Sequence, residues 1–404
     1  MSRLLPWAGA VVVVLAAAFG YAHLRTDTYL GRWFAWRASD VGDMLRFPDL
    51  RVAASTEPRA LPVLASTAPL TDMSVEASVD GSPRHLPLQE LLASTRSAAF
   101  VVLAGGAVAG EWYAAGPSPQ VRAGPVTSFS VAKSVTALLV AAAFEDGSLS
   151  SLDDPVTRYL PALAGTDRGY DQVTLRHLLD MTSGVRFRDH DLPWGDKARV
   201  YYEPHLRELV FRLPLTSSPD SGFAYNSYNP VLLGLVLEAA TGETVTDYFQ
   251  RRLWEAVGAA YDATWSVSSS GETLPKMESG LNASPLDFAR LGLLLLEDGV
   301  VDGQRVLPAQ WVEDVTTPDP KRLVEPEAGL HYQQGWWVYA PVGGRQLAVA
   351  GRGHLGQYVF VYPELDVVVA RFGTSTGGVG SWRAVFDQVA CEAALLATRA
   401  PACG

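Results

Sequence analysis

Ser130 and Lys133 stand three residues apart in Ser130-Val-Ala-Lys133, at the head of an apolar run that reaches Glu145. Residues three apart share one face of a helix, so this spacing sets an amine beside a hydroxyl. A serine hydroxyl is a weak nucleophile until a base takes its proton. An amine can be that base when apolar surroundings loosen its own hold on a proton. A helix N-terminus also favours negative charge developing at the hydroxyl. Basic residues in this chain are mostly arginine, and lysine occurs only at 133, 197, 276 and 321. Arginine cannot give up its proton, so a lysine kept among arginines is a candidate for chemistry. The pair alone is a pattern that chance can supply, and it needs partners.

Two later segments qualify. Tyr225-Asn226-Ser227 precedes an apolar helical run over 231–240. A tyrosine among cations can pass protons, and the same segment also reads as a helix-capping turn with a core tyrosine. Gly353-His354-Leu355-Gly356-Gln357 opens a strand over 358–362. Its glycines allow backbone to approach a ligand, and a plain hairpin turn is the other reading. Upstream, Tyr332-Gln-Gln-Gly-Trp-Trp337 offers Trp336 as an apolar wall or as core.

Other chemistries fit less well. Gly373-Thr-Ser-Thr-Gly377 matches a nucleophile-elbow pattern, which needs a helix next and a later histidine. Gly377-Gly378-Val-Gly380 follows instead, and no histidine lies beyond 354. The histidines at 23, 85, 177, 190, 205, 331 and 354 show no metal-ligand spacing. Asp189-His190-Asp191 reads as a polar loop. No metal and no cofactor is expected. A net charge of −11 argues against a nucleic-acid surface.

These residues need a scaffold. The chain has 404 residues, 48% hydrophobic and 19% charged, which suits a packed globular protein. The pattern predicts a short helix at 88–95 and a hairpin of 100–104 and 108–113 around Gly105-Gly106. A buried helix over 130–145 follows, with Gly147 as its stop. Residues 150 to about 275 read as mostly helical, and 286–296 as a further helix. Strands are predicted at 346–349, 357–362 and 366–372, with a last helix at 382–397. The expected fold is α+β: an antiparallel sheet flanked by helices, with an inserted, mainly helical lobe. The cleft between two such lobes is a natural site.

Leu4 to Leu24 is a run of 21 residues with no ionised side chain apart from His23, long enough to cross a bilayer as a helix. Trp7 and Tyr21 lie near its ends. Gly20-Tyr21-Ala22 also suits signal cleavage. Residues 1–24 are thus a transmembrane anchor or a signal sequence. Residues 25–86 read as a juxtamembrane segment and linker, irregular from 51 to 85, and 87–404 as the main domain. Cys391 and Cys403, the two cysteines, are a bridge or two thiols.

The three motifs, in this order, resemble the penicillin-recognising serine hydrolases, whose pattern is S-x-x-K, then Y-x-N or Y-x-S, then K-T-G or H-x-G. Leu152-Asp-Asp-Pro-Val-Thr-Arg-Tyr-Leu-Pro161 and Leu175-Arg-His-Leu-Leu-Asp-Met-Thr-Ser-Gly184 look like the family too. The resemblance is closest in look to its 6-aminohexanoate-dimer hydrolases, D-aminopeptidases and family VIII esterases, and covers about 90–400. It implies acylation of Ser130, proton transfer by Lys133 and Tyr225, and an oxyanion hole from the N–H groups of Ser130 and Gln357. Ser227, His354, Leu355, Gly356 and Trp336 would meet the substrate. His354 and Leu355 stand where β-lactamases carry a lysine and a hydroxyl residue, which hold a substrate carboxylate. Ser227 replaces the usual asparagine. Both departures point to an amide or ester substrate other than a β-lactam. A penicillin-binding envelope protein that acylates slowly, or acts as a sensor, is the alternative. The implied location is the cell envelope, with the catalytic domain extracytoplasmic, either membrane-anchored or exported.

Overall fold

The computed structural model describes residues 25–65, 69–165 and 169–398, with Val14 and Gly20. Strands from both ends of the chain meet in one antiparallel sheet. They are β1 (Ser97–Ala104), β2 (Ala107–Tyr113), β3 (Leu323–Glu325), β4 (Leu330–Gln333), β5 (Trp336–Tyr339), β6 (Ala348–Gly353), β7 (Gln357–Tyr362) and β8 (Val367–Gly373). Their order is β3-β4-β5-β6-β7-β8-β1-β2, so the early hairpin docks against the last strand. Gly105 and Gly106 both have positive φ, +57° and +70°, as the tight turn between β1 and β2 requires.

Side chains alternate across β1. Val101 and Leu103 enter one core, while Phe100 and Val102 enter the other. Helix α1 (Val131–Glu145) is buried from Val131 to Ala143 and fills the first core beside α2 (Tyr228–Thr241) and α3 (Pro285–Leu296). Helix α4 (Trp382–Thr398) covers the opposite face of the sheet. Glycines bring α1 and β6 close. A Cβ on Gly351 would lie 3.2 Å from Val131 Cγ1, and one on Gly353 would lie 2.4 Å from the Ser128 carbonyl oxygen.

The helical lobe lies between the early hairpin and β3. It holds short helices at Leu175–Leu179, Asp196–Tyr202 and Leu206–Val210 as well as α2. The helical reading stops short of 275, because Ala263–Ser266 is a strand. It pairs with Asp49–Val52 and Leu281–Ala283 in a second sheet. The early segment packs on this lobe. The hydroxyl of Tyr29 donates to Pro193 O at 2.9 Å, and that of Tyr202 donates to Arg37 O at 2.8 Å. Within the stretch read as linker, Ser74–Val79 and Ser82–Pro87 form a hairpin, which Gln388 of α4 grips through Glu76.

The apolar stretch 4–24 lies outside the described residues, apart from Val14 and Gly20. Among the described residues, no helix is long and apolar enough to cross a membrane. Cys391 is disulfide-bonded, and Cys403 lies outside the described residues.

Candidate active site

Ser130 is the residue just before α1. The turn that presents it is tight: Phe129 has φ +42°, a region that side chains rarely adopt. Packing holds it there. The Phe129 ring lies edge-on to His354 at 5.4 Å and faces Tyr201 at 6.3 Å. Ser128 N–H donates to Leu281 O at 2.9 Å, which ties the turn to the second sheet.

One helical turn on, Lys133 Nζ donates to Ser130 Oγ at 2.7 Å and to Glu278 O at 3.1 Å. Lys133 is 4% exposed, so water contributes little to its solvation. Its Nζ stands 5.0 Å from the centroid of the Tyr225 ring. That ring stacks on Trp337 at 5.6 Å and meets Tyr332 edge-on at 5.7 Å. Asn226 is spent on structure. Its Nδ2 donates to Val185 O at 2.8 Å, and its Oδ1 accepts from Tyr228 N–H at 2.9 Å. The capping reading of this segment therefore holds for Asn226, while Tyr225 and Ser227 face the cavity.

A cavity of about 350 Å³ gathers Ser130, Lys133, Tyr225, Ser227 and His354. Sequence positions 130, 225 and 354 thus meet in one place. Desolvation, then Lys197, pushes the His354 imidazole below its ordinary value, so the ring is neutral at pH 7. The wall also contains residues that sequence motifs missed: Arg37, Phe187, Lys197, Tyr201 and Glu278. Arg37 is on the early segment, Phe187 and Glu278 are on loops, and Lys197 and Tyr201 are on the short helix Asp196–Tyr202, so no family motif marks them. Lysine scarcity singles out Lys197 but says nothing of its place.

Trp336 requires a correction. It is 2% exposed and packs in the first core, away from the cavity wall. Side chains alternate along β5, so Trp337 is the one that turns toward Tyr225. Leu355, Gly356 and Gln357 also stand off the cavity wall, although His354 beside them lies on it. Leu355 and Gly356 form a left-handed turn with φ +59° and +82°. The Gln357 side chain is locked, its Nε2 donating to His354 O at 3.0 Å and Gly373 O at 2.7 Å. Among the described residues, no group of three or more His, Cys, Asp or Glu is placed to hold a metal.

Comparison with known proteins agrees with this arrangement. The family model described as Beta-lactamase matches residues 88–394. The 6-aminohexanoate-dimer hydrolase of Paenarthrobacter ureafaciens is 28% identical over 325 residues, covering 76% of this chain and 80% of that one. Lovastatin esterase of Penicillium rubens is 31% identical over 178 residues, covering 42% of this chain and 39% of that one. A solved Bacillus anthracis structure, described provisionally as a 6-aminohexanoate-dimer hydrolase, shares the fold. Its TM-score is 0.74 at 23% identity, covering 88% of this chain and 92% of that one. With the family model spanning three-quarters of the sequence, and its serine and lysine in contact at the head of α1, the chain belongs to the beta-lactamase family of serine hydrolases.

Proposed function

We propose that the protein hydrolyses amide or ester bonds through an acyl-enzyme on Ser130, on substrates other than β-lactams. The observation that carries this reading is the 2.7 Å contact of Lys133 Nζ with Ser130 Oγ inside a cavity large enough for a small substrate. Lys133, unprotonated, takes the Ser130 proton as Oγ bonds to the carbonyl carbon. The N–H of Ser130 receives the oxyanion, and the resemblance assigns the second donor to Gln357, which stands off the cavity wall in this structure; such donors contribute about 3 kcal/mol each in enzymes of this kind. The tetrahedral adduct collapses, and the amine or alcohol leaves with a proton passed through Lys133 and Tyr225. Water then attacks the acyl-enzyme, giving up its proton to the same groups, and frees Ser130.

At the third motif, the neutral His354 and the apolar Leu355 supply no cation for a β-lactam carboxylate; apart from Lys133, the cations on the wall are Arg37 and Lys197, the latter paired with Asp191. The relatives named as a dimer hydrolase and as an esterase support the same choice. A fluorophosphonate probe tests the nucleophile. Wild type is expected to be labelled and Ser130→Ala unlabelled; equal labelling of both would refute the assignment. Turnover of short p-nitrophenyl esters or linear amides, with nitrocefin hydrolysed far more slowly, supports the substrate class. An acyl group that persists for hours would replace turnover with the sensor reading.

The apolar run from Leu4 to Leu24 supports an envelope location, and the family resemblance with the cysteine usage supports a catalytic domain outside the cytoplasm. Sequencing the N-terminus of the mature protein distinguishes an anchor from an export signal. A fully cytoplasmic protein with Met1 intact would overturn both.

A further inference from the structure

Lys276 is buried like Lys133, yet the reaction above gives it no part. Its Nζ lies 2.9 Å from Glu278 Oε1, with the two side chains 1% and 3% exposed. The ammonium's other hydrogen bonds go to Tyr201 O at 2.9 Å and Val200 O at 3.4 Å. Glu278 Oε1 also accepts from Ser279 Oγ at 2.8 Å, while its buried Oε2 has no hydrogen-bond partner among the described residues. The backbone carbonyl of this same Glu278 accepts from Lys133. One residue therefore offers its carboxylate to Lys276 and its carbonyl to the lysine beside Ser130.

The turn carrying these groups is fixed on both sides. Gly280 N–H donates to Lys276 O at 2.7 Å, and Trp265 Nε1 donates to the same oxygen at 3.1 Å. Leu281 O accepts from Ser128 N–H in the turn that presents Ser130. The turn holding Glu278 is thus hydrogen-bonded both to Lys133 and to the segment that presents Ser130. A lone carboxylate in such a poorly solvated place would draw a proton onto any nearby amine. Lys276 answers that charge directly.

We propose that Lys276 is a positioning residue: its ammonium pairs with the Glu278 carboxylate, so that the residue whose carbonyl holds Lys133 adds no uncompensated negative charge, and Lys133 remains free to take the Ser130 proton. The inference rests on the acyl-enzyme reading given above. Other charges act on the cluster. On the early segment, Arg32 and Asp43 face Lys276, and Asp43 accepts from the Tyr201 hydroxyl and pairs with Arg46. The rings of Phe47 and Tyr201 each lie 4.9 Å from Lys276 Nζ. Around the cavity stand Tyr225, His354, Arg37 and Asp189, together with Asp191 paired to Lys197. Among the described residues, Lys276 is the cation paired with Glu278.

The test is the pH profile of kcat/KM for a neutral p-nitrophenyl ester, measured on the full-length chain. Lys276→Met is expected to lower the rate at pH 7 about tenfold and to move the acidic limb up by roughly one pH unit. Lys276→Arg, which keeps the charge, is expected to leave the limb in place. Adding Glu278→Gln to Lys276→Met removes the carboxylate and is expected to restore limb and rate to within about threefold of wild type. An unmoved limb in Lys276→Met, or a double variant no faster than Lys276→Met, overturns the proposal. If Lys276→Met fails to fold, the double variant decides, because it buries no lone charge: a wild-type limb supports the proposal, and a displaced limb overturns it. Failure of the acyl-enzyme reading shows up separately, as wild-type protein that the probe does not label at Ser130.

Discussion

Lys133 makes two short contacts, one to the atom it would deprotonate and one to a carbonyl that keeps it in place. Reach and proton affinity are both specific to lysine here. Arginine at 133 would keep its charge through the whole pH range. Lys133→Arg is therefore expected to lower kcat/KM for a p-nitrophenyl ester by about 10³-fold, within the usual span for a lost general base. Steady-state kinetics, with thermal unfolding as a control for folding, checks this. Activity within tenfold of wild type would remove Lys133 from the base role. Ser130 and Lys133 could be read from spacing because both lie on one helix. Tyr225 and His354 needed the ordered family pattern, since their approach to Ser130 depends on contacts across the fold. Trp336, open to a wall or a core reading, is core and not a substrate contact, for a related reason. Adjacent tryptophans on a strand face opposite ways, and sequence does not say which face meets the site.

Elements were legible where periodicity was strong. Helix α1 begins at Val131 and ends at Glu145, and β7 spans Gln357–Tyr362, both as the pattern implied. The hairpin of β1 and β2 turns at the two glycines with the positive φ that a tight turn needs. Boundaries slipped where turn chemistry is ambiguous. The strand expected to begin at 346 begins at Ala348, after a turn in which Gly343 and Gly344 have φ of +64° and +78°. The polar, proline-rich stretch before residue 88 hid a hairpin whose partner, Gln388, lies 312 residues away from Glu76. No local signal encodes so distant a contact. The same holds for the strand Ala263–Ser266, which sits in a helical neighbourhood and pairs with residues near 50.

For the whole molecule, the antiparallel α+β architecture followed from strands at both ends of the chain and helices between them. What joins the parts was not visible. Arg371 of β8 is fully buried and links four regions at once. Its Nε donates to Ser97 Oγ of β1 at 3.0 Å, and its Nη1 donates to Gly356 O at 2.7 Å. Nη2 donates to Thr95 O at 3.0 Å and Ser375 O at 2.9 Å, while the guanidinium carbon lies 4.1 Å from the Trp382 ring of α4. Burial lowers its pKa to about 10, so it stays charged at neutral pH and needs every one of these acceptors. Replacing it with methionine would leave the buried Gly356 and Thr95 carbonyls without this donor, each a desolvation cost of about 1–3 kcal/mol, and would also release the half-buried Ser375 carbonyl. Arg371→Met is expected to destabilise the fold by about 3 kcal/mol and to lower Tm by roughly 4 °C. Because Gly356 lies between His354 and Gln357, kcat should also fall at temperatures where the variant is folded. Arg371→Lys keeps a charge but lacks the planar fork, and should recover only part of the lost stability. Calorimetry and ester kinetics on the three proteins check this, and an Arg371→Met variant with wild-type Tm would show that the buried guanidinium does not hold the sheet, the turn at 354–357 and α4 together.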